Sequence, residues 1–120
     1  MLCFSEGNYM TKWIIEYFNE KIEKLILCLP SGLLARYLHL TDLIEEFGPN
    51  LEMPHTKPLG DKLFELRIKS KEGIARVFYC TKIGKRIVVL HSFVKKTQKI
   101  PEKELKIARK RLKEVLENDA

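Results

Sequence analysis

The sequence predicts an α+β domain in which helices pack on a small, antiparallel-dominated sheet. Three apolar runs follow one another at roughly 63–70, 74–82 and 86–94, and glycine-containing connections of hairpin length join them. Two helical patterns precede these runs and one amphipathic pattern follows them. The expected order is therefore β-α-α-β-β-β-α, with an N-terminal helical hairpin and a C-terminal helix. With 120 residues, 45% of them hydrophobic, the chain is long enough to bury one core.

The first part of the chain predicts one strand and one short helix. Residues 12–17 (KWIIEY) are rich in aromatic and β-branched side chains, as strands are. Asn19 is expected to cap a helix that ends near Leu29, because Pro30 follows. The buried face of that helix is expected to hold Ile22, Leu25, Ile26 and Leu29.

A second helix is expected to start with Ser31 as its cap and to continue through Phe47. Gly48-Pro49 ends it, because glycine followed by proline commonly stops a helix. The short turn between the two helices predicts a helical hairpin. The helically spaced face of the second helix contains Leu34, Tyr37, Leu38, Thr41, Ile44 and Phe47.

The segment 48–62 is expected to be an irregular loop, since three prolines and two glycines interrupt it. A loop of about fifteen residues is uncommon in a compact domain and usually has a function. After the strands, Pro101 fits the first turn of a helix that reaches about Glu117. The core stripe of this last helix is expected to contain Leu105, Ala108, Leu112, Val115 and Leu116. Its other face carries Lys103, Lys106, Arg109, Lys110 and Lys113.

The charge balance permits an anionic partner without requiring one. The chain has 22 basic and 16 acidic residues, a net charge of +6, and so a mixed surface with no polybasic tail. Cys3, Cys28 and Cys80 are widely spaced, with no Cys/His ligand spacing, which argues against a structural zinc site. Cys28 and Cys80 are expected to be small core residues in a reducing, cytoplasmic compartment.

No apolar stretch of the sequence approaches the roughly 18 residues of a membrane span, and the N-terminus lacks the basic region and apolar core of a signal peptide. Residues 1–9 differ in character from the rest, and Met10-Thr11-Lys12 reads as a natural start. We therefore expect one domain at residues 10–120, preceded at 1–9 by an upstream extension or a remnant of cloning.

Basic residues recur along the segment from Lys57 to Lys96. Strands that present Lys57, Arg67, Arg76, Lys95 and Lys96 around one region would form a small anion-binding surface. No acidic pair, cysteine cluster or glycine-rich phosphate loop competes with this surface. The expected ligand is therefore a polyanion, and RNA is the leading candidate.

The pairing of two arginines depends on a register that the sequence leaves open. In LFELRIK, apolar and polar residues alternate, so one face of the strand is apolar and the other carries Glu65 and Arg67. This polar face is either solvated surface or part of a site. Arg76 interrupts the apolar run IARVFYC, where an arginine is costly unless it is paired or solvated. A two-residue turn at Lys71-Glu72 would place Arg67 opposite Arg76, an arrangement that suits an anion between them. A bulged turn would separate them.

Two histidines are candidates for proton transfer near neutral pH. His91 lies in the apolar run IVVLHSFVKK, where a hydrogen-bonded core histidine is the commoner interpretation. His55 lies in the long segment, two residues before Lys57, where a polar residue has no packing role. The serines show no His/Asp pattern of a hydrolase triad.

Three segments together resemble one family. KPLGDKLFELR, then GIARVFY, then IVVLHSFVKKTQKIP followed by an amphipathic helix are similar to toxins of the RelE superfamily. Within it, the HigB-type group, also described as phage-derived Gp49-like proteins, is the nearest in pattern. The resemblance covers about Lys12 to Glu117.

The resemblance implies the toxin of a type II toxin–antitoxin pair with a RelE-like fold. Most such toxins are endoribonucleases that cut messenger RNA in the ribosomal A site without a metal or cofactor. The implied partner is a HigA-type helix-turn-helix antitoxin, in a complex expected to be a heterotetramer. One alternative is a ParE-type toxin that inhibits DNA gyrase without catalysis, and a weaker one is an RNA-binding domain without catalysis.

The resemblance also assigns site residues. The arginine of the E-L-R motif is Arg67, the glycine-proximal arginine is Arg76, and the basic residue after the last strand is Lys95 or Lys96. HigB-type members tend to use histidines, which points to His55 and His91, and the chain lacks the tyrosine that some RelE-type enzymes use after the last strand. The identity of the general base and acid stays open. The loop lysine is Lys57, with Lys62 as its alternative, and the expected RNA contacts are Lys62, Lys69, Lys96 and Lys99.

Overall fold

The structure, a computed structural model, describes residues 12–49, 56–95 and 100–118. Its elements are β1 (Ile14–Tyr17), α1 (Glu20–Leu27), α2 (Ser31–Phe47), β2 (Thr56–Gly60), β3 (Leu63–Ser70), β4 (Gly73–Lys82), β5 (Arg86–Lys95) and α3 (Glu102–Glu117). They form a five-stranded sheet in the order β1-β5-β4-β3-β2, in which only β1, beside β5, makes a parallel pair. The extension expected at residues 1–9 lies outside the described residues. None of the three described helices has the length and hydropathy of a membrane crossing.

Strand β2 corrects the expectation that residues 48–62 form an irregular loop. Thr56–Gly60 pairs with β3 at one edge of the sheet, with a register shift between Pro58 and Gly60. Proline is compatible with this position because an edge strand needs ladder hydrogen bonds on one side only. Asp61 and Lys62 both have positive φ, at 54° and 72°, as in the tight turns that suit twisted hairpins.

The helical hairpin of α1 and α2 covers one face of the sheet. The Asn19 side chain caps α1, since its Oδ1 accepts a hydrogen bond from Ile22 N at 2.9 Å, as predicted. The expectation of a buried Cys28 is wrong, because Cys28 lies exposed at the corner between the helices; Cys80 is buried, as expected. Leu25, expected on the buried face, is also exposed.

The buried face of α2 is rotated from the predicted one. The expectations for Leu38 and Phe47 are wrong, since both are exposed, Phe47 to 70%. The hydroxyls of Tyr37 and Tyr17 meet on the buried face, at 2.8 Å. Pro30, one residue earlier than predicted, occupies the cap position, and Gly48 ends the helix with φ of 99°. The buried stripe contains Leu33, Tyr37, Leu40, Thr41 and Ile44.

Both faces of the sheet bury apolar side chains, so the domain has two cores. The hairpin-side core joins α1 and α2 to alternate residues of β3, β4 and β5, among them Leu66, Ile68, Ala75, Val77 and Val89. The α3-side core contains Ala108 and Leu112 of α3. They pack on strand residues of the opposite face of the sheet, among them Leu63, Phe78, Cys80, Val88 and Leu90. The predicted last helix and its core stripe are confirmed.

Two arginines fasten α3 to the sheet. Arg109 Nη2 donates to the carbonyl of Leu59 in β2 at 3.0 Å. Arg111 Nη1 donates to the carbonyl of Leu90 in β5 at 2.8 Å, and its guanidinium lies 5.1 Å from the ring centroid of Phe18. These contacts fix the helix across strands from both halves of the sheet.

The β3–β4 turn also reaches across to the helical hairpin. Glu72 Oε1 accepts a hydrogen bond from Leu33 N at 3.2 Å, at the start of α2, where Pro30 offers no side-chain cap. Ser70 Oγ holds the same carboxylate at 3.2 Å. A Cβ at Gly32 would lie 2.5 Å from this oxygen, so glycine leaves the room that the carboxylate occupies.

We predict that Glu72→Ala lowers the unfolding free energy by about 1 kcal/mol, the usual effect of losing a helix N-terminal cap. Urea denaturation of the purified variant measures this. Lys71→Ala, in the same exposed turn, is the control and should leave stability nearly unchanged. Equal stability of the Glu72 variant and the control would show that the carboxylate does not cap α2.

Candidate functional site

The pairing of β3 with β4 settles the register of the two arginines. Ser70 pairs with Gly73 across the two-residue turn, and Arg67 therefore lies opposite Arg76. This confirms the two-residue alternative of the sequence analysis. Directly opposed residues of an antiparallel pair share a face, so both arginines lie on the α3 side of the sheet.

The same face collects further cations from the edge of the sheet. Lys57 of β2 pairs with Glu65 of β3, and Lys69 pairs with Ile74 of β4. Lys57 and Lys69 are exposed, and Arg67 is half-buried. Lys62 is exposed in the β2–β3 turn. The register therefore brings three of the predicted site residues, Lys57, Arg67 and Lys69, onto one face of the sheet.

Arg76 does not share that exposure, because it forms a buried ion pair. Its Nη1 contacts Oε2 of Glu65, and the side chains of Arg76 and Glu65 are only 1% and 2% exposed. Glu65 lies two residues before Arg67 and so stands diagonally across from Arg76, within reach of a long side chain. The interpretation of Glu65 as solvated surface is wrong, because this face of the sheet is packed here too.

His91 joins β5 to the first turn of α3. Its Nε2 lies 2.6 Å from Oε1 of Glu104, and both side chains are nearly buried. Its ring stacks on Phe78 at 6.5 Å and tilts against Phe93 at 6.0 Å. Nδ1 is buried without a hydrogen-bond partner among the described residues, so the contact with Glu104 engages the other ring nitrogen, Nε2. This arrangement gives a substrate access to neither ring nitrogen.

The tyrosines of the described ranges lie away from the cationic surface. Tyr17, Tyr37 and Tyr79 all belong to the hairpin-side core. Burial raises the pKa of each hydroxyl above its ordinary value. Neutral phenols on the opposite face of the sheet cannot serve as bases for a ligand at Arg67.

Several predicted site residues cannot be placed with the others. His55, Lys96 and Lys99 lie outside the described residues. For Lys95, the last residue of β5, only the backbone is described, and it pairs with Ile74 beside Lys69. Within the described ranges, no three His, Cys, Asp or Glu side chains are grouped to hold a metal ion.

Two acidic residues of this face were missed from the sequence. Glu65 could have been found from the cost of burying Arg76, which calls for a carboxylate nearby. Glu104 gave no such signal, because its contact with His91 joins two elements that are adjacent only in the folded chain.

The fold and this face define a small α+β domain with a cationic surface on one side of its sheet. The family model described as "Phage derived protein Gp49-like" matches residues 24–113. The chain therefore belongs to the phage-derived Gp49-like family, which confirms the resemblance seen in its motifs.

A solved structure supports the same fold. A chain from the crystal structure of the archaeal RelE–RelB complex from Pyrococcus horikoshii OT3 superposes with a TM-score of 0.52. The two chains are 21% identical, and the match covers 69% of this chain and 94% of the other. The RelE-like fold class is thus confirmed. No match was found among curated proteins.

We predict that Arg76→Ala destabilises the domain by roughly 3–5 kcal/mol, because it leaves the Glu65 carboxylate buried and unpaired. Urea denaturation gives the unfolding free energy. Adding Glu65→Ala to this variant should recover part of the loss, since it removes the uncompensated charge. If the two single effects simply add, the two side chains are not energetically coupled.

Proposed function

We propose that this chain is the toxin of a type II toxin–antitoxin pair, of the HigB type, and that it cleaves messenger RNA on the ribosome. The observation that carries the proposal is the register that gathers Lys57, Arg67 and Lys69 on one solvent-accessible face. Membership of the Gp49-like family and the RelE-like fold support the same conclusion.

Cleavage of RNA without a metal has three chemical requirements. A base must activate the 2′-hydroxyl, a cation must stabilise the charge of the phosphorane, and an acid must protonate the departing 5′-oxygen. Arg67 suits the second task, because a guanidinium stays charged and forks onto phosphate oxygens. Lys57, which crosses to the same face from β2, is our candidate for proton transfer or for a second phosphate contact.

Because of the buried ion pair, we propose different roles for Arg67 and Arg76. Arg76 is neutralised by Glu65 and is not exposed, so we assign it to supporting the strand beneath Arg67. We assign His91 to holding α3 on β5, since Glu104 occupies its Nε2. Proton transfer by His55, and phosphate contacts by Lys62, Lys95, Lys96 and Lys99, remain part of the proposal.

The proposed partner is a HigA-type helix-turn-helix antitoxin, bound in a heterotetramer. The superposed structure is of a RelE–RelB complex, which supports an antitoxin partner for this chain as well. Ribosome binding is proposed on the same basis as the activity.

Expression of this chain alone should stop growth by blocking translation. Incorporation of labelled amino acids should fall within minutes of induction, and primer extension on messenger RNA should reveal new 5′ ends. Normal translation combined with failing DNA supercoiling would instead establish gyrase inhibition, the ParE-type activity.

Arg67→Ala should lower the cleavage rate roughly a hundred- to thousandfold, the usual effect of removing one donor to a developing charge. Cleavage of ribosome-bound messenger RNA at equal protein concentration measures the change. Arg36→Ala removes one exposed cation from α2, on the opposite side of the sheet, and should cleave like the parent.

The fold of the Arg67 variant must be checked by circular dichroism and its urea midpoint. Full activity of a folded Arg67→Ala protein would show that the active site lies elsewhere. Loss of activity through unfolding would show that Arg67 is structural.

A further inference from the structure

The outer face of α3 carries a row of lysines that the proposed active site does not use. These four residues, the α3 lysine stripe, are Lys103, Lys106, Lys110 and Lys113. Their spacings of three, four and three residues keep them on one side of the helix. At 1.5 Å per residue, the stripe is about 15 Å long. All four side chains are exposed.

The fold does not require these charges. Among the described residues, no carboxylate lies within ion-pair distance of any of the four lysines. Like charges three or four residues apart destabilise a helix, and the stripe contains three such neighbouring pairs, partly offset by Glu102, Glu114 and Glu117, each four residues from one of its lysines. The arginines of α3, by contrast, hold the helix on the sheet, since Arg109 and Arg111 donate hydrogen bonds to carbonyls of the sheet.

The stripe also lies on the cationic side of the molecule. Glu104 binds His91, and Arg109 binds the carbonyl of Leu59, two residues from Lys57. These contacts place α3 directly beside the surface of Lys57 and Arg67. The helical hairpin on the other face has the opposite bias, with five carboxylates and three cations between residues 20 and 47.

The side chains of α3 indicate which kind of ligand the stripe would bind. Lysines contact phosphates as point charges, and α3 contains no aromatic residue on which an unpaired base could stack. A straight row of cations without stacking groups fits the regular backbone of a double helix better than a single strand. The apolar side of α3 is already packed on the sheet, so the helix cannot insert into a membrane.

We propose that the α3 lysine stripe is a docking site for the phosphate backbone of double-helical RNA, separate from the cleavage site on the sheet. The proposal rests on the proposed function in one respect, the choice of RNA over DNA. Docking through backbone phosphates holds the protein on structured RNA whatever its sequence.

The test uses the full chain and a fluorescent RNA hairpin with a stem of about 16 base pairs, a length that spans two successive minor grooves. The stripe variant is Lys106→Gln/Lys110→Gln/Lys113→Gln. Its matched control, Lys21→Gln/Lys24→Gln/Arg36→Gln, removes three exposed cations from the helical hairpin. Anisotropy titrations between about 50 and 200 mM salt give the slope of log affinity against log salt.

The stripe variant should bind the stem more weakly, and its salt slope should be smaller by about 2–3 units, close to one unit per lost phosphate contact. The hairpin control should keep the slope of the parent. Equal losses in both variants would overturn the proposal, because net charge would then explain the binding. An unchanged slope in the stripe variant would overturn the proposal as well. If that variant also bound an antitoxin more weakly, the stripe would be a site of protein contact. Tighter binding to a DNA duplex than to the RNA stem would overturn the choice of RNA.

The outcome is separable from that of the proposed function. Stem binding that depends on the stripe stands even if the chain cleaves no messenger RNA. Conversely, cleavage abolished by Arg67→Ala, together with unchanged stem binding in the stripe variant, would refute the stripe and leave the proposed function intact.

Discussion

The buried ion pair between Glu65 and Arg76 is the constraint on which the centre of the sheet depends. Both charges can be buried only where they meet, and in the observed register, which sets Arg67 opposite Arg76, they meet diagonally across β3 and β4. A slip of one residue would move every side chain of β3 to the other face and leave both charges unpaired in a core. The pair therefore disfavours a one-residue slip of β3 against β4, whatever its net contribution to stability.

That register gives Arg67 and Arg76 different environments. Two adjacent arginines on one face would repel, but the carboxylate of Glu65 neutralises Arg76, which is buried, whereas Arg67 beside it is half-buried. In the proposed cleavage reaction, the developing negative charge at Arg67 would meet a cation whose neighbour is already neutralised by Glu65. The same division recurs on α3, where arginines hold the sheet and lysines face solvent.

The two faces of the sheet are closed by different kinds of contact. The helical hairpin packs mainly through aliphatic and tyrosine side chains. Helix α3 combines an apolar stripe with polar anchors at His91 and Leu90 of β5 and at Leu59 of the edge strand β2. Such anchors are directional, so they fix the position of α3 where apolar packing alone would allow it to slide. The fixed position of α3 therefore helps to set the shape of the cationic surface beside it.

Local pattern was enough to predict much of this protein. The sequence alone determined the limits of β3, the Asn19 cap, the last helix and the cationic segment that contains Lys57, Arg67 and Lys69, because these depend on side chains a few residues apart. Only the tertiary structure decided the edge strand through Pro58, the exposure of Cys28 and Phe47, and the partners of Arg76 and His91. Each of these depends on which distant element packs against the residue, and a sequence pattern does not contain that contact.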